Sequence, residues 1–269
     1  MILQARFSTL TIFVTLCIGL HNVLAGLENA KFSTKLDNSN FDQQIQDVEV
    51  GTLTAFFAPW CGHCKSLLGT WDKIAQTFQS DSKCRVAHLD ADAASNREIG
   101  SKYSVSGFPT IKFLFKDAAK DPIDYNDART PEAMIKFLNQ NCGTHRALGG
   151  LLLPEAGRVA TLDELAKSFL GLSSSERPAV IEKATALVSA ANNTMASYYV
   201  KVMNKVVADA SWLTKEGERL KKLIEKGATM AGTKFEEVQI KQNILQAFAD
   251  VKATAEEAEN VVEKATGEL

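Results

Sequence analysis

Cys61 and Cys64, separated by two residues in Cys61-Gly62-His63-Cys64, are the side chains of this chain best suited to covalent chemistry. A thiolate attacks a disulfide sulfur to form a mixed disulfide, and a second thiol one helical turn away can displace the captured partner. The apolar run Leu53-Thr54-Ala55-Phe56-Phe57-Ala58 precedes the pair, and Leu67, Leu68, Trp71, Ile74, Ala75 and Phe78 follow it at helical spacing. Cys61 therefore falls where a buried strand turns into a helix. Free N–H groups and the macrodipole at a helix N-terminus favour an anion, which makes Cys61 the expected nucleophile. Cys64, facing the helix interior, is the expected resolving thiol. His63 adds positive charge beside the thiolate, stabilising the reduced form and making the pair more oxidising. Zinc needs four ligands, and Cys84 and Cys142 stand alone in the chain, so no metal site is expected. A purely structural bridge between Cys61 and Cys64 would close too short a loop to constrain the unfolded chain.

The elements that position these residues are legible around them. Cys84-Arg85-Val86-Ala87-His88-Leu89 reads as a second strand and Ile111-Lys112-Phe113-Leu114-Phe115 as a third. Thr130-Pro131-Glu132 opens a last helix with proline at its first position. Strands alternating with helices predict an α/β domain over 26–143. Gly149, Gly150, Pro154 and Gly157 then punctuate a connector over 144–160. Beyond it the composition turns to Ala, Lys, Glu and Leu, predicting an all-α domain of four or five helices over 161–253. Thr161-Leu162-Asp163-Glu164 and Thr233-Lys234-Phe235-Glu236 read as capping boxes. Further helices are expected from about Ser174, from about Met195, and over Thr214 to Lys226. The Ala-rich, acidic tail 254–269 is expected as a frayed helix or disorder.

The chain has 269 residues, 45% hydrophobic and 23% charged, with a net charge of −2, enough for a sizeable core and without the basic footprint of a nucleic-acid binder. Arg6 precedes an apolar run from Phe7 to Leu20, followed by Val23-Leu24-Ala25, the layout of a secretory signal peptide over 1–25 with cleavage after Ala25. The run is shorter than a membrane span requires, so no span is expected in the mature chain. Cleavage would remove Cys17 and place Cys61, Cys64, Cys84 and Cys142 in an oxidising compartment. There Cys84 and Cys142 are either a structural disulfide or two free buried thiols.

Two segments together carry a specific resemblance: Ala58-Pro59-Trp60-Cys61-Gly62-His63-Cys64-Lys65 and Val105-Ser106-Gly107-Phe108-Pro109-Thr110-Ile111-Lys112-Phe113. They resemble a catalytic a-type thioredoxin domain of the protein disulfide isomerase family. The resemblance implies a cis Phe108–Pro109 bond, a substrate-contacting surface of Trp60, Gly107, Phe108 and Pro109, and a mobile Arg129, in Tyr125-Asn126-Asp127-Ala128-Arg129, that acts on Cys64. It also marks two departures: Ala55 stands where the family carries a buried glutamate, and His88 where it carries the accompanying lysine. His88 is then either a substitute proton acceptor or a neutral core histidine. The helical half is similar to the D domain of one subgroup of that family and of a non-catalytic secretion chaperone, through Ala160-Thr161-Leu162-Asp163-Glu164-Leu165, Tyr199-Val200-Lys201-Val202-Met203, Glu218-Arg219-Leu220 and Lys241-Gln242-Asn243-Ile244-Leu245. Relatives usually carry two thioredoxin domains before it, and this chain carries one.

The resemblance implies a thiol–disulfide oxidoreductase or isomerase of the endoplasmic reticulum lumen that needs no cofactor. Its partners would be unfolded or partly oxidised secretory proteins and a small-thiol or oxidase redox partner, with the helical domain as a candidate homodimer surface. The rival class is a non-catalytic chaperone or escort that binds unfolded chains through the helical domain. Thr266-Gly267-Glu268-Leu269 departs from the usual retrieval signal by a glycine, leaving secretion open. Asn192-Asn193-Thr194 is a glycosylation sequon. Gly227-Ala228-Thr229-Met230-Ala231-Gly232-Thr233-Lys234 imitates a phosphate loop but has Lys and Thr in the wrong order. Tyr198, Tyr199 and Trp212 line either a peptide groove or the core.

Overall fold

The computed structural model describes residues 26–190, 193–226 and 232–266. The expected signal peptide, the Asn192 sequon, the start of the phosphate-loop imitation and the terminal Gly267-Glu268-Leu269 lie outside the described residues. Strands β1 (Thr34–Leu36), β2 (Gly51–Phe57), β3 (Cys84–Asp90), β4 (Thr110–Phe115) and β5 (Ile123–Asp124) form one sheet in the order β1-β3-β2-β4-β5. β1 and β2 run parallel to β3, whereas β4 is antiparallel to β2 and to β5. The sheet is therefore mixed, with β2 at its centre.

Every residue of β2 is buried, which accounts for its unbroken apolar reading. Its alternate side chains serve two cores. Leu53, Ala55 and Phe57 pack with Leu67, Trp71 and Ile74 of α2 (Gly62–Thr77) and with Met134 and Leu138 of α4 (Pro131–Cys142). Phe56 packs on the other face with Leu36, Leu89, Phe41 and Ile45, the last two from α1 (Phe41–Gln46), and with Ile99 of α3 (Arg97–Lys102). α4 begins where Pro131 placed it: the Thr130 hydroxyl accepts from the Ala133 N–H at 3.3 Å. It ends at Gly143, whose φ of 61° is left-handed and suits glycine. Cys142, in the last turn of α4, is disulfide-bonded to Cys84 at the start of β3, resolving the alternative left open above.

Among the described residues five helices follow: α5 (Ala160–Phe169), α6 (Arg177–Ala190), α7 (Ser197–Ala208), α8 (Trp212–Glu225) and α9 (Gly232–Thr266). They enclose a second core in which Leu162, Phe169, Tyr199, Val202, Met203, Leu220, Ile244 and Phe248 are buried. Neither expected capping box forms. α5 starts one residue before Thr161, and the Glu164 carboxylate of that box accepts from Lys167 one turn on, while Asp163 is drawn to Arg158 and the Tyr199 hydroxyl. Thr233 lies inside the first turn of α9, and Glu236 reaches Arg146 of the connector. The local bond of this kind belongs to Ser173, whose N–H and hydroxyl both donate to the Glu176 carboxylate ahead of α6. α9 continues as helix to Thr266, into the tail read above as a frayed helix or disorder. Tyr198 and Tyr199 are buried and Trp212 packs on the same cluster, so these aromatics are core and line no groove. Among the described residues no helix is long and apolar enough to cross a membrane.

Candidate active site

Cys61 is the residue immediately before α2, at the end of the chain that leaves β2. Its Sγ accepts from the Cys64 N–H at 3.4 Å and lies 3.4 Å from the Phe108 carbonyl, to which the thiol donates. The Phe108–Pro109 peptide bond is cis, as the resemblance implied. The loop it shapes thus sits directly against the first cysteine. Cys61 is only 6% exposed and Cys64 not at all, so a partner reaches the pair through the Cys61 sulfur. Both are free thiols.

Around that sulfur the surface is open. His63 and Gly62 are exposed in the first turn of α2, and Gly107 is exposed with open space where a side chain would stand. Trp60 is 68% exposed, too much for a core residue, yet it does not swing freely. Its indole N–H donates to Asp92 at 2.7 Å and its ring meets Phe108 edge-on at 5.9 Å. Sequence reasoning missed Asp92, which lies 32 residues from Trp60 in an exposed loop after β3 that has no local signature.

Cys64 lies behind Cys61. Burial and the hydrogen bond with Cys61 push its thiol up to about 12, while the Arg129 charge pulls the other way. The Arg129 guanidinium donates to the Pro109 carbonyl at 3.3 Å, so one cation touches the cis-proline loop and acts on the second cysteine. Among the described residues, the groups that act on Cys64 are Cys61, the Ala58 backbone and Arg129, and none of them is a carboxylate. Ala55 occupies the strand position in register with His88. His88 is 2% exposed, with Nδ1 2.6 Å from the Ser33 hydroxyl and its ring beside Phe57. Burial, assisted by Lys35, lowers its pKa to about 4 and keeps it neutral at physiological pH. Ser33, also missed, comes from the segment just before β1, 55 residues away.

A strand-to-helix dithiol set against a cis-proline loop defines a thioredoxin-fold domain of the thiol-redox class, here followed by an all-helical domain. The thioredoxin family model matches residues 32–140, and the model described as endoplasmic reticulum protein ERp29, C-terminal domain, matches residues 157–248. A thioredoxin domain followed by an ERp29-type C-terminal domain is consistent with the D-domain subgroup of the protein disulfide isomerase family. It is 42% identical over 210 residues to protein disulfide-isomerase erp38 of Neurospora crassa, covering 77% of this chain and 55% of that protein. It is 35% identical to protein disulfide-isomerase C17H9.14c of Schizosaccharomyces pombe, covering 80% of this chain and 59% of the relative. It is 38% identical to protein disulfide-isomerase 1 of Dictyostelium discoideum, covering 79% and 59%. The chain thus spans somewhat over half the length of the curated relatives it matches.

Proposed function

We propose that this protein is a thiol–disulfide oxidoreductase that forms and rearranges disulfides in folding secretory proteins, resident in the endoplasmic reticulum lumen. The observation that carries the reading is the position of the Cys61 sulfur, at the N-terminus of α2, against the Phe108 carbonyl, with Cys64 buried behind it. The helix terminus and the Cys64 N–H stabilise negative charge on that sulfur. In the reducing direction the Cys61 thiolate attacks a client disulfide, forming a mixed disulfide and releasing one client thiolate. Cys64, once deprotonated, attacks the Cys61 sulfur, closing the Cys61–Cys64 disulfide and releasing the second client thiolate. Oxidation runs the same steps backwards from the Cys61–Cys64 disulfide, which a small-thiol disulfide or an oxidase regenerates. Trp60, Gly107, Phe108 and Pro109 supply the client-contacting surface, and Arg129 favours the thiolate of Cys64.

Refolding of reduced ribonuclease tests the reading. Wild-type protein is expected to speed recovery of activity, Cys61→Ser to abolish the effect, and Cys64→Ser to accumulate client mixed disulfides on Cys61. Equal recovery with wild type and Cys61→Ser would leave a chaperone without redox chemistry as the better account.

A further inference from the structure

Arg146 is 6% exposed, an unusual place for a guanidinium in a connector. A charge so buried is tolerated only where it is paired, and its partners come from different domains. Its Nε donates to Asp81 at 2.5 Å, in the loop between α2 and β3, and its Nη2 to Glu236 of α9 at 2.8 Å. The guanidinium also lies over the Phe78 ring. Each end of this bridge is itself held. The other Asp81 oxygen accepts from the N–H groups of Lys83 and Cys84 at 2.8 and 2.9 Å. The backbone of Arg146 is clamped by the Asn139 side chain of α4, which accepts from its N–H at 2.9 Å and donates to its carbonyl at 2.8 Å. The Cys84–Cys142 disulfide ties the two supports, β3 and α4, together beneath it.

The connector is also folded rather than slack. Ala147 N–H donates to Leu151 and Leu153 N–H to His145, closing a small hairpin whose tip, Gly149-Gly150, has positive φ at both residues. One stripe of α9 grips it. Gln239 accepts from the Leu152 N–H at 2.8 Å, and Asn243 donates to the carbonyls of Leu153 at 2.9 Å and Ala156 at 3.2 Å. Gly157, at φ 74°, lies so close to Ile240 that a Cβ would stand 2.2 Å from its Cγ2. At the start of the helix, Gly232 abuts Ser80 of the thioredoxin domain. Positions 232, 236, 239, 240 and 243 share one helical face. Gln239 and Asn243 are buried polar residues whose bonds go to connector backbone, and a loosely tethered domain would leave them in water.

We infer that the Asp81–Arg146–Glu236 bridge, seconded by Gln239 and Asn243, is an interdomain lock that makes the thioredoxin and helical domains one rigid body, docked at the end of α2 opposite Cys61. The inference is independent of the redox reading. The experiment is small-angle scattering of the full chain, with limited proteolysis of the connector read in parallel. Wild-type protein is expected to scatter as a single compact particle with a protected 147–153 segment. Arg146→Met breaks both ion pairs, and a Glu236→Ala, Gln239→Ala, Asn243→Ala triple variant removes the α9 grip while leaving Arg146 paired to Asp81. Each should enlarge the radius of gyration and raise connector cleavage about tenfold or more, while thiol titration of Cys61 stays unchanged. If Arg146→Met fails to fold, as a buried unpaired Asp81 could cause, the triple variant decides. Wild-type scattering that requires an ensemble of domain orientations, or variants as compact and protected as wild type, would overturn the lock.

Discussion

Acidification gives a direct test of the neutral histidine built in beside Ala55. In the unfolded chain His88 titrates near 6.5, whereas burial lowers it to about 4 in the folded protein. Between these values the unfolded chain holds a proton that the folded chain lacks, so stability present above pH 6.5 is lost as the pH falls towards 4. At about 1.4 kcal/mol per pH unit the loss amounts to about 3 kcal/mol across the window. His88→Asn retains a polar atom for the Ser33 hydroxyl and cannot titrate. The assay is denaturant unfolding between about pH 7.5 and about pH 4.5, followed by tryptophan fluorescence, since Trp71 is fully buried in the same core as Ala55. The variant is expected to be less sensitive to acid than wild type, with the two stability curves converging by about 3 kcal/mol as the pH drops. Curves that stay parallel would refute the reasoning and show that His88 gains or keeps its proton within the fold, as a proton acceptor near the dithiol would.

Because Cys64 is pushed up to about 12, little of it is thiolate at neutral pH, and its attack on the Cys61 mixed disulfide should accelerate about tenfold per pH unit through neutrality; rapid mixing with glutathione disulfide measures this. In the same assay Arg129→Ala should slow the step, and Ala55→Glu should speed it provided the fold accepts the carboxylate, whereas a fast, pH-independent wild-type step would exclude both. Replacing Cys84 and Cys142 by alanine opens a loop of 58 residues, for which chain entropy sets a cost of about 4 kcal/mol, read as a lowered denaturant midpoint with the Cys61–Cys64 thiols still titratable. Thr130→Ala removes the cap of α4 and should cost about 1 kcal/mol in the same unfolding experiment.

What was legible in the residues was what local chemistry decides. β2 announced itself because a strand buried on both faces has no polar alternation, and α4 because Thr130 and Pro131 act within one turn. Strands β1 and β5, three and two residues long, are too short to carry a pattern. The capping boxes misled because both helices begin one residue before the threonine of the box, and the box acids Glu164 and Glu236 pair with Lys167 and with the distant Arg146 instead of reaching back. The dithiol, the cis-proline and Arg129 came from motif and resemblance. The supports of that site did not, because Ser33 and Asp92 act across 55 and 32 residues of chain. The same holds for Arg146, read as part of a connector, whose partners lie 65 and 90 residues away.

The length of α2 sets a minimum on what the two halves of this molecule can hold at once. Cys61 precedes its first residue and the Ser80–Gly232 contact follows its last, so the helix is a spacer of 16 residues, about 24 Å. An extended polypeptide advances about 3.3 Å per residue. A chain touching both the Cys61 sulfur and the helical domain therefore needs about seven extended residues of slack. A peptide shorter than that can meet the dithiol without reaching the Ser80–Gly232 contact, so length alone separates ligands confined to the thioredoxin domain from those long enough to span α2.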